Sequence, residues 1–195
     1  MHLLAHALVG WGDEAETVGQ IAGDFVRGRD LSGYPAALSR GIRHHRLLDS
    51  FTDRHPVAAV SRARLHGPWR RFASVLVDLA YGHALACSWP SHCAQPIDAF
   101  ESDVHATLAR WHPRLPERLQ RAHHRMAEHR VLAGIGDTDG VQRACERLAH
   151  RLPALRGAHD AVDGVSAELH TDFQAFWPDL LAYHATLTDA ANPPA

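Results

Sequence analysis

The stretch from Gly41 to Asp53, Gly-Ile-Arg-His-His-Arg-Leu-Leu-Asp-Ser-Phe-Thr-Asp, holds the densest set of reactive side chains in the sequence. On a helix turning about 100° per residue, His45, Asp49 and Asp53 advance only about 40° per step, so one imidazole and two carboxylates share a stripe. Ile42, Leu48 and Phe51 lie between them, which allows the stripe to face an interior cleft. A histidine with carboxylates suits a hard or borderline divalent ion such as Mn²⁺, Mg²⁺ or Zn²⁺. The competing reading is a solvated row of i,i+4 pairs.

Three further positions could join such a site. Asp24 interrupts the apolar run Ile21-Ala22-Gly23-Asp24-Phe25-Val26, and a carboxylate there needs a ligand or an ion-pair partner such as Arg27 or Arg46. Asp78 and His83 sit in Val75-Leu76-Val77-Asp78-Leu79-Ala80-Tyr81-Gly82-His83; five residues apart, they are separated by about 140° around a helix and need not reach the same ion. His6 is the one polar residue among Leu3, Leu4, Ala5 and Leu8, where a hydrogen-bonded core histidine is the alternative. His123, His124 and His129 lie among arginines and read as solvated, and His92 beside Cys93 lacks enough neighbouring ligands.

What is missing narrows the chemistry. All 20 basic residues are arginine, which removes Schiff-base catalysis and the Walker lysine. There is no G-x-S-x-G, Gly-rich phosphate loop or H-E-x-x-H. Cys87, Cys93 and Cys145 form no C-x-x-C pair, so they read as small core residues rather than zinc ligands or a disulfide framework. Between Val26 and Arg71, ten arginines face three acids, a local +7 in a chain whose net charge is −2. One basic quarter with an acidic remainder suggests an anionic partner met on one face, with nucleic acid disfavoured; the alternative is a solvated arginine-rich surface.

The elements that must carry these residues are helices. Val18, Ile21, Ala22, Phe25 and Val26 repeat at three and four, as do Phe72, Val75, Leu76, Leu79 and His83, and no run alternates with period two. Breakers at Gly10–Asp13, Gly28–Pro35, His55-Pro56, Gly67-Pro68, Pro90–Pro96, Pro113–Pro116, Gly134–Gly140 and Pro153–Gly157 divide the chain. They predict an all-α single domain over residues 1–195 with about eight helices. His159 to Leu187 reads as one long segment kinked at Pro178, and 190–195 as a frayed end. No apolar run approaches the roughly 20 residues of a membrane span, and the opening lacks a secretory pattern. The expectation is a cytoplasmic protein without membrane contact.

In this order, the blocks Leu3-Leu4-Ala5-His6, Gly23-Asp24-Phe25-Val26-Arg27-Gly28, Gly41-Ile42-x-x-His45-Arg46-x-x-Asp49-x-x-Thr52-Asp53 and Asp78 to Trp89 resemble the acyl carrier protein phosphodiesterase family. Weaker likeness runs through Asp137–Arg151 and Phe173–Pro178. The resemblance implies a fold distantly similar to HD-type metal phosphohydrolases. It also implies a divalent metal, manganese first, with Mg²⁺, Fe²⁺ or Zn²⁺ as alternatives. The implied reaction is hydrolysis of the phosphodiester joining phosphopantetheine to a serine of holo-acyl carrier protein, an acidic partner, which places the chain in fatty acid metabolism. Asp24, His45, Asp49 and Asp78 would hold the metal. Asp53 or His83 would position or deprotonate water, His6 would act as general acid, and Arg27 and Arg46 would neutralise phosphate. Three departures stand out: His2 and Gln20 where asparagine is usual, and Gly82-His83-Ala84-Leu85 where such proteins read Asp-His-Phe-Leu. Restoring the carboxylate by Gly82→Asp is expected to raise metal affinity or turnover, unless the site is rebuilt around the glycine.

Overall fold

The computed structural model describes residues 1–191, with side chains to residue 189. Among them are ten α-helices, joined by short 3₁₀ turns, and no strand. They are α1 (Leu3–Val9), α2 (Glu14–Ala22), α3 (Ala36–Arg54), α4 (Pro56–Arg64), α5 (Ala73–Cys87), α6 (Ile97–Trp111), α7 (Glu117–Glu128), α8 (Gly140–Ala149), α9 (His159–Asp163) and α10 (Ser166–Ala191). The all-α expectation holds, with more helices than expected. Gly164 cuts the segment from His159 into α9 and α10, whereas α10 runs through Pro178 without ending. Pro68 lies in the 3₁₀ turn Gly67–Phe72 that leads into α5. Of the end expected to fray, 190–195, residues 190 and 191 belong to α10 and the rest lies outside the described residues.

Local chemistry sets the starts. The Asp13 side chain accepts from the backbone N–H groups of Ala15 and Glu16 and caps α2, while His2 Nδ1 accepts from Leu4 N and caps α1. Pro56 occupies the first turn of α4, where its missing N–H costs nothing.

The closest helix pair is α2 with α3, and glycine makes it so. A Cβ on Gly19 would stand 2.6 Å from Gly41 Cα, and one on Gly41 would stand 2.8 Å from Gly19 Cα, so the two backbones touch. This contact brings the polar residues beside it, Glu16 and Gln20 on α2 and His44 and His45 on α3, within hydrogen-bonding reach of each other's helix. Leu4, Ile21, Leu38, Ile42, Leu48, Leu76 and Leu85 fill the core beneath, and α10 closes it with Phe173 and Phe176 against α3, α4 and α5.

The cysteine expectation holds only in part. Cys145 is buried, Cys93 half-buried and Cys87 exposed, because position 87 ends α5 beside a cavity.

Candidate active site

Five of the residues singled out in the sequence converge. α1 brings His6, the 3₁₀ turn Gly23–Phe25 brings Asp24, α3 brings His45 and Asp49, and α5 brings Asp78. His6 Nε2 lies 3.1 Å from Asp49 Oδ1; His45 Nε2 lies 3.1 Å from Asp49 Oδ2 and 3.5 Å from Asp24 Oδ1. The two imidazoles stack with ring centres 3.9 Å apart. Asp78 enters through the Met1 nitrogen, which is 3.0 Å from both Asp78 Oδ1 and Asp49 Oδ1. Gly23 makes room for His45, since a Cβ there would fall 2.2 Å from the ring.

Gln20, the buried residue that only its departure from the usual asparagine had marked, fixes how the imidazoles point. Its Nε2 donates to Glu16 Oε1 (3.0 Å), so its Oε1 must accept from His6 Nδ1 (2.8 Å). His45 Nδ1 donates to the Gln20 backbone carbonyl (2.7 Å), an atom that can only accept. Both Nδ1 atoms therefore carry hydrogen, which leaves each Nε2 to face the carboxylates, His6 toward Asp49 and His45 toward Asp24 and Asp49.

The titration behaviour follows. Burial works against charge on His45, but hydrogen bonds to Asp24 and Asp49 push it up to about 9. His6 is driven down by burial and by neighbouring His45. Although burial opposes it, hydrogen bonds from His45 and His6 and the Met1 ammonium hold the Asp49 carboxyl far below the usual carboxylate range. The Met1 ammonium itself, despite burial, is pushed up to about 11 by Asp78 and Asp49. Near neutral pH the Asp49 carboxylate is therefore charged and flanked by the His45 ring and the Met1 ammonium.

That donor set fits a divalent ion. His6, His45 and Asp49 each offer a ligand atom, all within 4.8 Å of one another, and the chemistry is imidazole plus carboxylate. Asp24 and Asp78 border it from two other elements.

The remaining predicted residues lie apart from this cluster. Asp53, one turn beyond Asp49, is exposed and shares a cleft of about 210 Å³ with Asp49, Asp78, Arg62, Tyr81 and Met1. Arg62 Nη2 donates to the Asp53 carbonyl (2.8 Å). Arg46 donates to Val26 O (3.4 Å), and Arg27 is exposed two residues beyond the Asp24 turn. His83 is not brought into this cluster. Its Nδ1 donates to Ile135 O (2.8 Å), its Nε2 lies 3.3 Å from Cys87 Sγ, and it lines a separate cavity of about 550 Å³ with Thr138, Asp139 and His170. Its angular offset from Asp78 on α5 is the cause.

Gly82 is also explained. A Cβ there would fall 2.5 Å from His2 Cγ, so the His2 ring occupies the space beside Gly82. Burial drives His2 down to about 4, so it sits neutral. Two of the positions that the sequence resemblance marked as departures, His2 and Gly82, are therefore in one contact.

Fold and centre together define a class: an all-α protein with two buried imidazoles facing partly exposed carboxylates beside a polar cleft. The chain belongs to the acyl carrier protein phosphodiesterase family, whose model matches residues 1–180, a family of phosphoric diester hydrolases by its description. It is 29% identical over 189 residues to the acyl carrier protein phosphodiesterase of Salmonella agona, covering 95% of this chain and 98% of that one. The enzyme of the same name from Salmonella paratyphi A matches at 29% and that from Salmonella dublin at 28%, with the same coverage. The resemblance seen in the sequence blocks is borne out. No solved structure gives a significant match. No helix of the described residues is long and apolar enough to cross a membrane.

Proposed function

We propose that this protein is a cytoplasmic, metal-dependent phosphodiesterase that hydrolyses the phosphopantetheine–serine phosphodiester of holo-acyl carrier protein, leaving the apo form. The observation that carries this reading is the convergence of two imidazole Nε2 atoms on the carboxylates of Asp24 and Asp49, beside Asp78, at the edge of the cleft. Family membership supports the substrate, and the His–Asp pairing supports distant kinship with HD-type metal phosphohydrolases.

Asp24, His45, Asp49 and Asp78 would hold a divalent ion, Mn²⁺ first. His6 joins them as a ligand rather than as general acid, because its Nδ1 is committed to Gln20 and its Nε2 faces Asp49. Bound there, such an ion polarises phosphoryl oxygen and lowers the pKa of water. Asp53, in the cleft and outside the cluster, orients the attacking water and takes its proton. As the P–O(Ser) bond breaks, the serine oxygen takes a proton from solvent in the open cleft. Arg62 faces the same cleft and supplies positive charge for the phosphate, with Arg27 and Arg46 on the adjoining turn and helix.

The test is intact-mass analysis of holo-acyl carrier protein after incubation with the protein and Mn²⁺. Loss of the phosphopantetheine mass is expected, and its absence in Asp49→Ala. An unchanged mass with every divalent ion tried would overturn the reading.

A further inference from the structure

A second imidazole–carboxylate cluster lies on the other side of Gln20. Glu16 on α2, His44 on α3 and His184 on α10 each point a ligand atom to one place, all within 4.8 Å of one another. His44 Nδ1 is 2.9 Å from Glu16 Oε1 and His184 Nε2 is 3.7 Å from the same oxygen. All three side chains are nearly enclosed. They open on a cavity of about 250 Å³ that also touches Trp11, Asp13 and Arg40.

Hydrogen bonding alone leaves this cluster incomplete. Glu16 Oε1 already accepts from Gln20 Nε2 and His44 Nδ1, while His184 Nε2 is buried with no hydrogen-bond partner. A buried polar nitrogen left unpaired costs roughly 1–3 kcal/mol. Glu16 Oε2 has only Arg40 Nε at 4.0 Å, beyond hydrogen-bond length, and Arg40 turns its Nη2 toward Asp13 (3.4 Å). Two imidazoles therefore meet a carboxylate whose second oxygen is under-used.

We infer that Glu16, His44 and His184 form a second metal site, separate from the catalytic cluster, for a borderline divalent ion such as Zn²⁺. Two nitrogens and one carboxylate oxygen are the ligands such an ion prefers, with the cavity leaving a fourth position for water. Bonds of about 2.0–2.2 Å in a tetrahedron set neighbouring ligand atoms about 3.4 Å apart. The present 2.9 and 3.7 Å bracket that spacing, and the two imidazole nitrogens lie within 4.8 Å of each other. An ion there ties α10 to the α2–α3 pair. It also bears on the catalytic cluster, because Glu16 orients the Gln20 amide that sets the His6 tautomer.

The experiment is metal content by mass spectrometry after Zn²⁺ loading and gel filtration to strip weakly held ions. Wild type, His184→Ala, His44→Gln and Asp49→Ala are compared, each checked for wild-type helicity. His184→Ala and His44→Gln are expected to hold one ion fewer than wild type, and the Zn²⁺-dependent rise in Tm should disappear with it. If Asp49→Ala also loses one ion, both clusters bind. If wild type holds one ion that Asp49→Ala keeps and His184→Ala loses, this inference stands and the catalytic metal assignment falls. An ion count equal in wild type and His184→Ala, whatever that count, overturns the inference. Should a variant lose helicity, ¹⁵N spectra of the wild-type histidine rings decide: Zn²⁺ must shift His44 Nδ1 and His184 Nε2, and unshifted nitrogens overturn the site.

Discussion

Gln20 touches neither Asp24 nor Asp49, yet it dictates what both imidazoles of the proposed metal site present there. Removing its amide frees His6 to rotate or change tautomer, and loss of such a supporting hydrogen bond commonly weakens metal affinity 10–100-fold. Gln20→Leu is therefore expected to weaken Mn²⁺ binding by about that factor while helicity stays intact. Titration calorimetry checks it, and an unchanged Kd would remove Gln20 from the site. Gly82 reverses its sequence-based expectation. With His2 filling the space where a Cβ would stand, Gly82→Asp should lower stability by about 1–3 kcal/mol through overpacking instead of strengthening the site. Because the clash is with one side chain, His2→Ser combined with Gly82→Asp should recover much of that loss. Chemical denaturation of the four members of the cycle measures the coupling, and additive losses would show that His2 is not the obstacle.

At the level of helices, the legible part of the site was the part governed by a single repeat. His45 and Asp49 are one step apart on α3 and both reach the cluster; Asp53, another step on, has drifted to the cleft. His83, about 140° around α5 from Asp78, points away from the cluster, and the Ile135 carbonyl it meets there is a neighbour that periodicity does not contain. The break at Gly164 was hidden by an apolar stripe that continues across it, and Glu16 with His44 and His184 spans elements whose neighbourhood only folding creates. A similar long-range set fastens α4 to α10. Arg64 grips Asp172 through Nε (2.8 Å) and Nη2 (3.0 Å), and Ser61 Oγ donates to Asp172 (2.8 Å) while meeting Tyr81 OH (2.7 Å). These bonds from Arg64 and Ser61 hold the Asp172 carboxyl below its ordinary value. Its folded-state value is the depressed one, so its stabilisation is complete above the unfolded value near 4 and is lost as pH falls through the lower folded value. Asp172→Asn should cost about 1–3 kcal/mol at pH 7. The gap to wild type should narrow below about pH 4, as denaturation at pH 7 and pH 3 will show; a gap independent of pH would mean the carboxylate charge contributes nothing.

Over the whole molecule, charge is unevenly shared, and the structure sorts the arginines of the basic quarter. Arg64 is committed to Asp172 and Arg40 leans on Asp13 and Glu16, whereas Arg43, Arg70 and Arg71 are exposed and pair with no carboxylate among the described residues. If an acidic carrier protein is the partner, Arg43→Glu with Arg70→Glu should raise KM for it several-fold at low salt and little at 1 M, where the Debye length shrinks to about 3 Å. Turnover of a small phosphodiester should stay level; equal losses on both substrates would place these residues in the fold or the site instead. The Gly19–Gly41 contact reaches furthest. No side chain cushions it, so the α2–α3 seam can only be shut or open, and both histidine clusters hang on its being shut. The protein thus has a single zipper rather than two independent clasps. Under rising hydrostatic pressure or denaturant, the ring signals of His6, His44 and His45 should vanish at one midpoint, while staggered midpoints would mean that the seam opens piecemeal.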